Sequence, residues 1–397
     1  MRWFGFNEQK RIYLDHAAAT PVRSEAMRAW TDAVRIFGNP GSLHSEGVAA
    51  IELLEKAREA VAHVFQSRAW EMVFMSGGTE GNNIAIFGAL GHGSLSEVHV
   101  IVSSIEHPSV LEPIAELERR GARVTRITPD TLGRITPEAV QDALTPQTCF
   151  VSIGWANSEI GVVQPLSTIA KAIHMHEKEH GTRIIFHTDA GQAPLYLKNT
   201  VHSLGVDLMT LDSGKLYGPR GIGALFVKHG VSLAPIMYGG GQEGGVRPGT
   251  ENPALAMGFV AALQAMAHER ESESKRLAEL KQEFLDAVMA TIPDVILNGN
   301  IEDTLPHVVN ISIPRMDAEY VALALDHRGV AVSTKTSCKE GERESAVIRA
   351  LGGTDDRASS ALRFSFGLST TSGDVVHAVK ELAEIVSIQR SLHQNAS

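Results

Sequence analysis

Residues 207–228 read DLMTLDSGKLYGPRGIGALFVK, two short apolar runs joined by a glycine and proline turn that carries Lys215. A third run, TRIIFHTD at residues 182–189, precedes them and ends at Asp189. Such short apolar runs are typical of strands buried on both faces of a parallel sheet. Because the ligand of such a sheet lies at the carboxyl ends of its strands, we expect Asp189 and Lys215 to converge there.

The same pattern extends outward over residues 48–300, where short apolar runs alternate with helical periodicity. This alternation predicts an α/β fold, a mostly parallel sheet with crossover helices. The seven strand-like runs cover residues 71–76, 98–104, 122–128, 148–155, 182–189, 207–212 and 222–228. The helical stretches cover residues 47–65, 79–90, 108–120, 165–180 and 252–292.

The pattern changes after the long helical stretch at 252–292. Strands are predicted in HVVNISIP (307–314), GVAVS (329–333) and ALRFSFG (361–367), with helices over 317–327 and 374–394. This mixture is typical of a smaller α+β domain packed on the first. We therefore predict a large α/β domain over residues 20–260, and a smaller domain formed by residues 1–19 and 261–397.

The composition of the 397 residues is that of a folded enzyme, with 43% apolar and 21% charged residues. It excludes a disordered, collagen-like or coiled-coil chain. The net charge of −10 disfavours nucleic acid and anionic membrane surfaces as partners. No run approaches the ~18 apolar residues of a spanning helix, and the first residues lack a secretory pattern, so we expect a cytoplasmic protein.

The two cysteines, Cys149 and Cys338, have no metal-ligand spacing, so no metal site is predicted. Cys149 lies in the apolar run 148–155 and is interpreted as a small buried hydrophobe. Cys338 lies in the polar stretch VSTKTSCKEGERES (332–345), whose cations include Lys335, Lys339 and Arg343. A solvent-reached thiol near cations is expected to have a lowered pKa and more of the reactive thiolate.

Two further motifs indicate a bound cofactor. Ser76-Gly77-Gly78-Thr79-Glu80 joins a predicted strand to a predicted helix, where free N–H groups and a hydroxyl can hold a phosphate, although such turns are often only structural. Asp189, at the end of a buried strand, needs a cation or a donor. The protonated ring nitrogen of a pyridine cofactor would serve, and capping of the next helix is the alternative.

Lys215 lies at the junction between a strand and a glycine and proline turn, which makes it a candidate Schiff-base former. Exposed lysines in turns are common, so this residue alone does not decide the function. The combination is more specific, because the phosphate motif, Asp189 and Lys215 occur in that chain order at strand ends.

The series of motifs resembles that of the cysteine desulfurases, pyridoxal 5'-phosphate (PLP) enzymes of the class V aminotransferase superfamily. It runs from YLDHAAATP at residue 13 to beyond Gly367, through SGGTE (76–80), EHPSV (106–110), NSEIGVVQP (157–165), HTDAGQ (187–192), SGKLYGPRGIGAL (213–225), GGGQEGGVRPGTEN (239–252), SC (337–338) and RFSFG (363–367). The resemblance implies the PLP-dependent transferase fold type I. It also implies conversion of L-cysteine to L-alanine, with the sulfur passed through a persulfide on Cys338 to an acceptor.

The resemblance implies a role for individual residues toward the cofactor. Lys215 would hold it as a Schiff base, and Asp189 would keep its ring nitrogen protonated. Gln192 would bond the phenolic oxygen, and His107 would stack on the ring and shuttle protons. The phosphate would be bound by Gly78 and Thr79, with Ser213 as a further donor and with Thr250 reaching across from one subunit of a homodimer to the other.

On the substrate side, the resemblance implies that Arg363 clamps the cysteine carboxylate through two parallel hydrogen bonds. Asn157 would lie beside both the phenolic oxygen and this carboxylate, and Asn39 matches the family's asparagine on the substrate side. The sulfur acceptor stays open among iron–sulfur cluster assembly, tRNA thiolation, cofactor synthesis and nucleic-acid backbone sulfuration.

Two positions depart from the family pattern, which has a histidine directly before the lysine and a serine two residues before that histidine. Here they are Gly214 and Asp212. A carboxylate near a phosphate is repulsive by ~1 kcal/mol or more, so either Asp212 turns away and Ser213 supplies a hydroxyl, or cofactor binding is weakened. A selenocysteine lyase, a class V aminotransferase and a weakened member that acts as a sulfur-transfer scaffold are the alternatives.

Overall fold

The computed structural model describes residues 11–91, 93–198, 200–334 and 344–395. Residues 393–395 are described by their backbone only. Its strands are β1 Ile12–Tyr13, β2 Met72–Met75, β3 His99–Ser103, β4 Arg123–Ile127, β5 Thr148–Ser152, β6 Ile185–Asp189, β7 Leu208–Asp212, β8 Gly223–Val227, β9 Ile296–Leu297, β10 Val308–Ser312, β11 Val330–Ala331 and β12 Ala361–Ser365. Its helices are α1 Ser24–Ala33, α2 Ser45–Phe65, α3 Gly78–Leu90, α4 Pro108–Arg119, α5 Pro137–Ala143, α6 Leu166–His180, α7 Val201–Leu204, α8 Pro253–Thr291, α9 Ala318–His327, α10 Ala346–Ala350, α11 Asp355–Ser359 and α12 Ser372–Asn395. None of these helices is both long and apolar enough to cross a membrane.

The chain divides into two compact units. The large unit comprises Ala19–Asn157 and Val162–Glu271, and the small unit comprises the chain up to Ala18, Ser158–Gly161 and the chain from Ser272 onward. The division after Glu271 lies inside α8. Because a continuous helix shows no break in its periodicity, the sequence offered no local signal for this position, and the boundary predicted after residue 260 lies earlier in the same helix.

A seven-stranded sheet forms the centre of the large unit, in the order β2-β8-β7-β6-β5-β3-β4. The strands from β7 to β4 run parallel, and β8 is antiparallel to both of its neighbours. Each predicted strand-like run is one strand of this sheet, which confirms the prediction of an α/β fold with a mostly parallel sheet. All residues of β2 and β3 are buried, whereas β4 at the edge is partly exposed.

Helix α3 lies unusually close to the sheet because Gly81 has no side chain. A Cβ added at Gly81 would lie 2.6 Å from Thr210 Cγ2 and 2.8 Å from Met75 Sδ. The first turn of α3 is therefore held beside the carboxyl end of β7. This contact brings the glycine motif before α3 next to the segment that carries Lys215.

The small unit contains two small sheets. Strands β12, β10 and β9 form an antiparallel sheet in that order, and β1 pairs with β11 in parallel. The three strands predicted in this part of the chain are β10, β11 and β12. Strands β1 and β9 were not predicted, because two residues are too few to show a periodicity.

Candidate active site

Lys215 and Asp189 lie on either side of Gly191. Asp189 ends β6, and Lys215 ends a short 3-10 helix, Ser213–Lys215, directly after the neighbouring strand β7. A Cβ added at Gly191 would lie 3.2 Å from Asp189 Oδ1 and 3.5 Å from Lys215 Cδ. The structure thus brings together the two residues on which the sequence-based prediction most depends.

The Asp189 carboxylate is held by two donors. Gly191 N donates to Oδ1 at 2.9 Å, and Asn82 Nδ2 on α3 donates to Oδ2 at 2.7 Å. Asn82 Nδ2 also donates to Ser109 Oγ at 2.8 Å, and Ser109 Oγ lies 2.7 Å from His107 Nδ1. A hydrogen-bonded chain therefore links Asp189 to His107. Sequence reasoning missed Asn82 and Ser109, although both stand within quoted motifs or directly beside them.

His107 precedes α4 and caps its first turn. The backbone N–H of Ser109 donates to Nδ1 at 3.1 Å, so Nδ1 is an acceptor and the neutral ring carries its proton on Nε2. Burial lowers the pKa of His107, the charge of Lys215 lowers it further, and the carboxylates of Asp189 and Asp212 oppose this. A neutral ring whose Nδ1 forms the cap is suited to stacking and to moving a proton through Nε2.

Glu106 is a second residue that the sequence did not single out. Gly154 N donates to its Oε1 at 2.9 Å. Desolvation of the carboxyl, together with the nearby charge of Asp189, raises the pKa of Glu106 to about 8, while hydrogen bonds from Gly154 and Ser103 lower it in part. Near pH 7 this carboxyl is therefore mostly protonated, which avoids a second negative charge beside Asp189.

The glycine motif forms the first turn of α3, as its sequence predicts, but a carboxylate already occupies part of it. Asp212 Oδ2 accepts from Gly78 N at 3.1 Å, and Asp212 Oδ1 accepts from Gly214 N at 2.8 Å. Thr79 is exposed on the same turn. Ser213 is fully buried, and its hydroxyl has no partner among the described residues.

The Ser213 hydroxyl packs against Gly218, only 2.1 Å from the position that a Cβ of Gly218 would take. The first of the two arrangements considered for this segment, in which Asp212 turns away and Ser213 supplies a hydroxyl, is not the one in the structure. Ser213 as a phosphate ligand therefore stays a prediction without geometric support.

Gln192 and Asn157 belong to the large unit, as Lys215 and Asp189 do. Gln192 is buried three residues beyond Asp189, directly before the 3-10 helix Ala193–Leu195. Asn157 is half-buried, and its Nδ2 donates to Ile105 O at 2.8 Å. That bond ties Asn157 to the segment that leads into His107.

Asn39 and Thr250 are both exposed. The side chain of Asn39 accepts from Gly41 N at 2.9 Å and so stabilises its own turn. Thr250 ends the glycine-rich loop, which is tied to the first turn of α3 because Arg247 Nε donates to Glu80 Oε1 at 3.0 Å. No contact among the described residues joins Asn39 to Lys215 or Asp189. The predicted role of Thr250 needs a second subunit.

Arg363 belongs to the small unit, on β12, and is 2% exposed. Its Nη2 donates to Asp15 Oδ1 at 2.7 Å and its Nη1 to Ser158 O at 3.0 Å. Its Nε is buried and has no partner within the described part of the chain. The guanidinium is thus rigidly held and retains one unused donor.

Cys338 lies outside the described residues. Cys149 is half-buried on β5, and burial raises the pKa of its thiol. No cluster of three His, Cys, Asp or Glu side chains that could hold a metal occurs in residues 11–91, 93–198, 200–334 and 344–392.

Similarity to known proteins extends over almost the whole chain. Residues 12–377 match the family described as "Aminotransferase class-V". The chain belongs to that family. It is 36% identical over 386 residues to "Cysteine desulfurase IscS" of Dictyoglomus turgidum, covering 97% of this chain and 96% of the relative.

Solved structures of class-V family members agree with this assignment. A "NIFS-LIKE PROTEIN" superposes with a TM-score of 0.89 at 28% identity, over 95% of this chain and 100% of that one. A protein described as "SspA in complex with cysteine" gives a TM-score of 0.77 at 31% identity, over 89% and 98%. The fold is therefore the fold type I of PLP-dependent transferases, and the relatives are PLP-dependent cysteine desulfurases.

The residues of the large unit fit the PLP cofactor of this class-V family. A lysine and a firmly held carboxylate beside the same glycine suit a pyridine ring that bonds to both. The first turn of α3 suits a phosphate, because the N–H groups there are not used inside the helix. Two carboxylates at that turn carry a charge that opposes a phosphate: Glu80, which is paired with Arg247, and Asp212, which accepts from Gly78 N.

Proposed function

We propose that this protein is a PLP-dependent cysteine desulfurase, which converts L-cysteine to L-alanine and leaves the sulfur as a persulfide on Cys338. The observation that carries the proposal is the placement of Lys215 and Asp189 on either side of Gly191. The chain is also 36% identical to a cysteine desulfurase over nearly its full length. A relative described in complex with cysteine supports cysteine as the substrate.

When bound, PLP supplies a carbonyl for the substrate amino group and an electron sink that acidifies the α-proton. Lys215 Nζ takes and returns that proton, because its amine is set free when substrate binds. The Asp189 carboxylate, fixed by Asn82 and Gly191, would face the ring nitrogen. Because Nδ1 of His107 accepts from Ser109, this ring would donate or relay a proton through its Nε2–H.

The sulfur step uses the thiolate of Cys338. Its sulfur attacks the sulfur of the substrate, an S–S bond forms, and the Cβ–S bond breaks with its electron pair passing to carbon, which is then protonated to give alanine. Cysteine and a thiol give alanine and a persulfide, so no external oxidant or reductant takes part. Cys338 is supported by its polar, cation-rich surroundings in the sequence, whereas burial raises the pKa of Cys149.

The remaining assignments are parts of the same proposal. Arg363 and Asn157 would bind the substrate carboxylate, and Asn39 would lie on the substrate side. Thr250 would complete the phosphate site of the other subunit in a homodimer. A protein that receives sulfur from Cys338 is the expected partner. A reducing cytoplasm is the expected compartment, because there Cys338 stays a free thiol.

Sulfide and alanine release from L-cysteine in the presence of a dithiol tests the proposal. We expect equal amounts of both products from the wild type, none above background from Lys215→Ala or Cys338→Ala, and wild-type rates from the matched control Cys149→Ala. Alkylation and mass spectrometry should find the extra sulfur on the peptide that contains residue 338. Full activity of Cys338→Ala would refute the proposal.

The same assay separates the alternatives. Amino transfer to a keto acid that persists in Cys338→Ala would identify an aminotransferase. Turnover of selenocysteine but not cysteine would identify a selenocysteine lyase. A protein that binds sulfur-transfer partners but takes up no PLP would be a scaffold.

A further inference from the structure

Asp212 lies where the phosphate of the cofactor should bind. It ends β7, three residues before Lys215, and its Oδ2 accepts from the first N–H of α3, that of Gly78. A Cβ added at Gly78 would lie 3.2 Å from Oδ2, and one added at Gly77 would lie 3.6 Å from it. The carboxylate therefore packs directly against the glycine turn, where a side chain at residue 78 would make a tight contact with it.

The position of Asp212 stabilises the protein without a ligand. The N-terminus of the 13-residue helix α3 carries a partial positive charge and free N–H groups, and an anion placed there is favourable. The second oxygen, Oδ1, accepts from Gly214 N and fixes the side chain in this orientation. Asp212 forms no ion pair within the described residues, and its hydrogen-bond partners there are the N–H groups of Gly78 and Gly214.

A phosphate that binds this turn meets the same donors and a charge of its own sign. The hydroxyl of Ser213 is buried against Gly218, so the residue after Asp212 adds no described donor to this turn. Residue 214 is a glycine and offers no side chain that could pair with either anion. A phosphate that bonds to Gly78 N must therefore displace the Asp212 carboxylate from that N–H.

We propose that Asp212 is an internal competitor of the cofactor's phosphate group, so that the phosphate contributes little to the affinity of this protein for PLP. The inference rests on the proposed function only in that the site binds PLP. The bond to Lys215 and the contact with Asp189 then hold most of the cofactor. Cofactor binding is accordingly weaker and more readily reversible than it would be at the same helix terminus without Asp212.

The test compares two probes, PLP and pyridoxal, which differ by the phosphate group. The full-length protein is freed of cofactor, and each dissociation constant is measured by titration at one pH and one ionic strength. The ratio of the pyridoxal constant to the PLP constant reports what the phosphate contributes. The variants are Asp212→Ser and Asp212→Asn. The control is Asp142→Asn, which removes the same negative charge at an exposed position on α5, away from the phosphate turn.

We expect the ratio to rise at least about tenfold in Asp212→Ser, because like charges a few ångström apart repel by an energy of this order. Asp212→Asn, which keeps the shape and removes the charge, should raise the ratio by at least about threefold, and Asp142→Asn should leave it unchanged. An unchanged ratio in Asp212→Asn would overturn the proposal even if Asp212→Ser did not fold. So would equal tightening of both probes, since Asp212 would then act elsewhere than at the phosphate.

The measurement needs no cysteine and no turnover. A wild-type protein that binds PLP but releases no sulfide would refute the proposed function, while the probe ratio would still decide the role of Asp212. A wild-type protein that binds neither probe would refute both.

Discussion

Asn82 Nδ2 donates to Asp189 Oδ2 at 2.7 Å, and this bond ties the first turns of α3 to the end of β6. Asn82 is completely buried, and so is its contact with Ser109. The carboxylate of Asp189 thus has a fixed donor on each oxygen, from Asn82 on one and from Gly191 on the other. A carboxylate held in this way keeps one orientation toward whatever binds beside Gly191.

Replacement of Asn82 by Ala should therefore lower both stability and activity. It leaves a carboxylate oxygen of the half-buried Asp189 without its donor, which costs about 1–3 kcal/mol in the free energy of unfolding. Sulfide release should fall as well, because Asp189 loses its fixed orientation. Urea unfolding and the sulfide assay measure the two effects. The control is Asn83→Ala, whose side chain bonds only to Thr79 O in its own helix and should change stability by less than about 0.5 kcal/mol. Equal effects at both positions would contradict this role of Asn82.

The strands and the two central site residues could be predicted from the sequence because their signals are local. Asp189 and Lys215 each follow a short apolar run, and each run became one strand of the sheet. The pair Asn82 and Ser109 could not be found in this way. Their bond depends on how α3 and α4 pack, which no pattern within either helix reveals.

Asp212 shows the same limit of prediction from the sequence. Its charge next to a phosphate motif was visible in the sequence, and so was the conflict that it creates. Which of two arrangements the chain adopts depends on the approach of α3 to β7 at Gly81, a contact between residues far apart in the chain. That contact places Gly78 N within reach of the carboxylate.

Removal of the Ser109 hydroxyl should shift the pH dependence of the reaction. Ser109 Oγ accepts from Asn82 and can donate to His107 Nδ1, an interaction that favours the neutral ring. In Ser109→Ala we expect the pKa of His107 to rise, and the acidic limb of the rate profile to move to higher pH. The stability loss should be about 1 kcal/mol, because the backbone N–H of residue 109 still caps the ring.

Two controls separate this effect from general damage. Ser109→Thr keeps a hydroxyl and should retain the wild-type profile. Ser104→Ala removes a buried hydroxyl that has no partner among the described residues, and it should leave the profile unchanged. A profile that is the same in Ser109→Ala and in the wild type would contradict the link to His107.

Replacement of Arg363 by Lys should weaken cysteine binding more than it slows turnover. In Arg363, Nη1 and Nη2 are already bonded, and Nε has no partner in the described chain. Lysine keeps the positive charge but lacks the planar guanidinium and its Nε–H donor. Because a charge-assisted bond is worth about 1.5–3 kcal/mol, we expect KM for cysteine to rise by about tenfold or more, with a smaller change in kcat.

Steady-state kinetics measure this split between KM and kcat. Arg328→Lys is the control, since Arg328 bonds Glu381 and Glu384 at the surface of the same unit. A change in kcat alone would mean that Arg363 does not bind the substrate carboxylate.

Glu106 should make the protein less stable as the pH rises. Burial raises its pKa to about 8, whereas in the unfolded chain the carboxyl ionises near its ordinary value of 4.5. Between these values the folded protein keeps a proton that the unfolded chain releases, so the free energy of unfolding falls as the pH increases through this window. Glu106→Gln does not titrate and can still accept from Gly154 N. The melting temperature of this variant minus that of the wild type should therefore increase steadily from pH 5 to pH 8. For the control Glu59→Gln, at an exposed position on α2, the same difference should stay constant. A difference for Glu106→Gln that does not depend on pH would mean that Glu106 is ionised in the folded protein throughout this range.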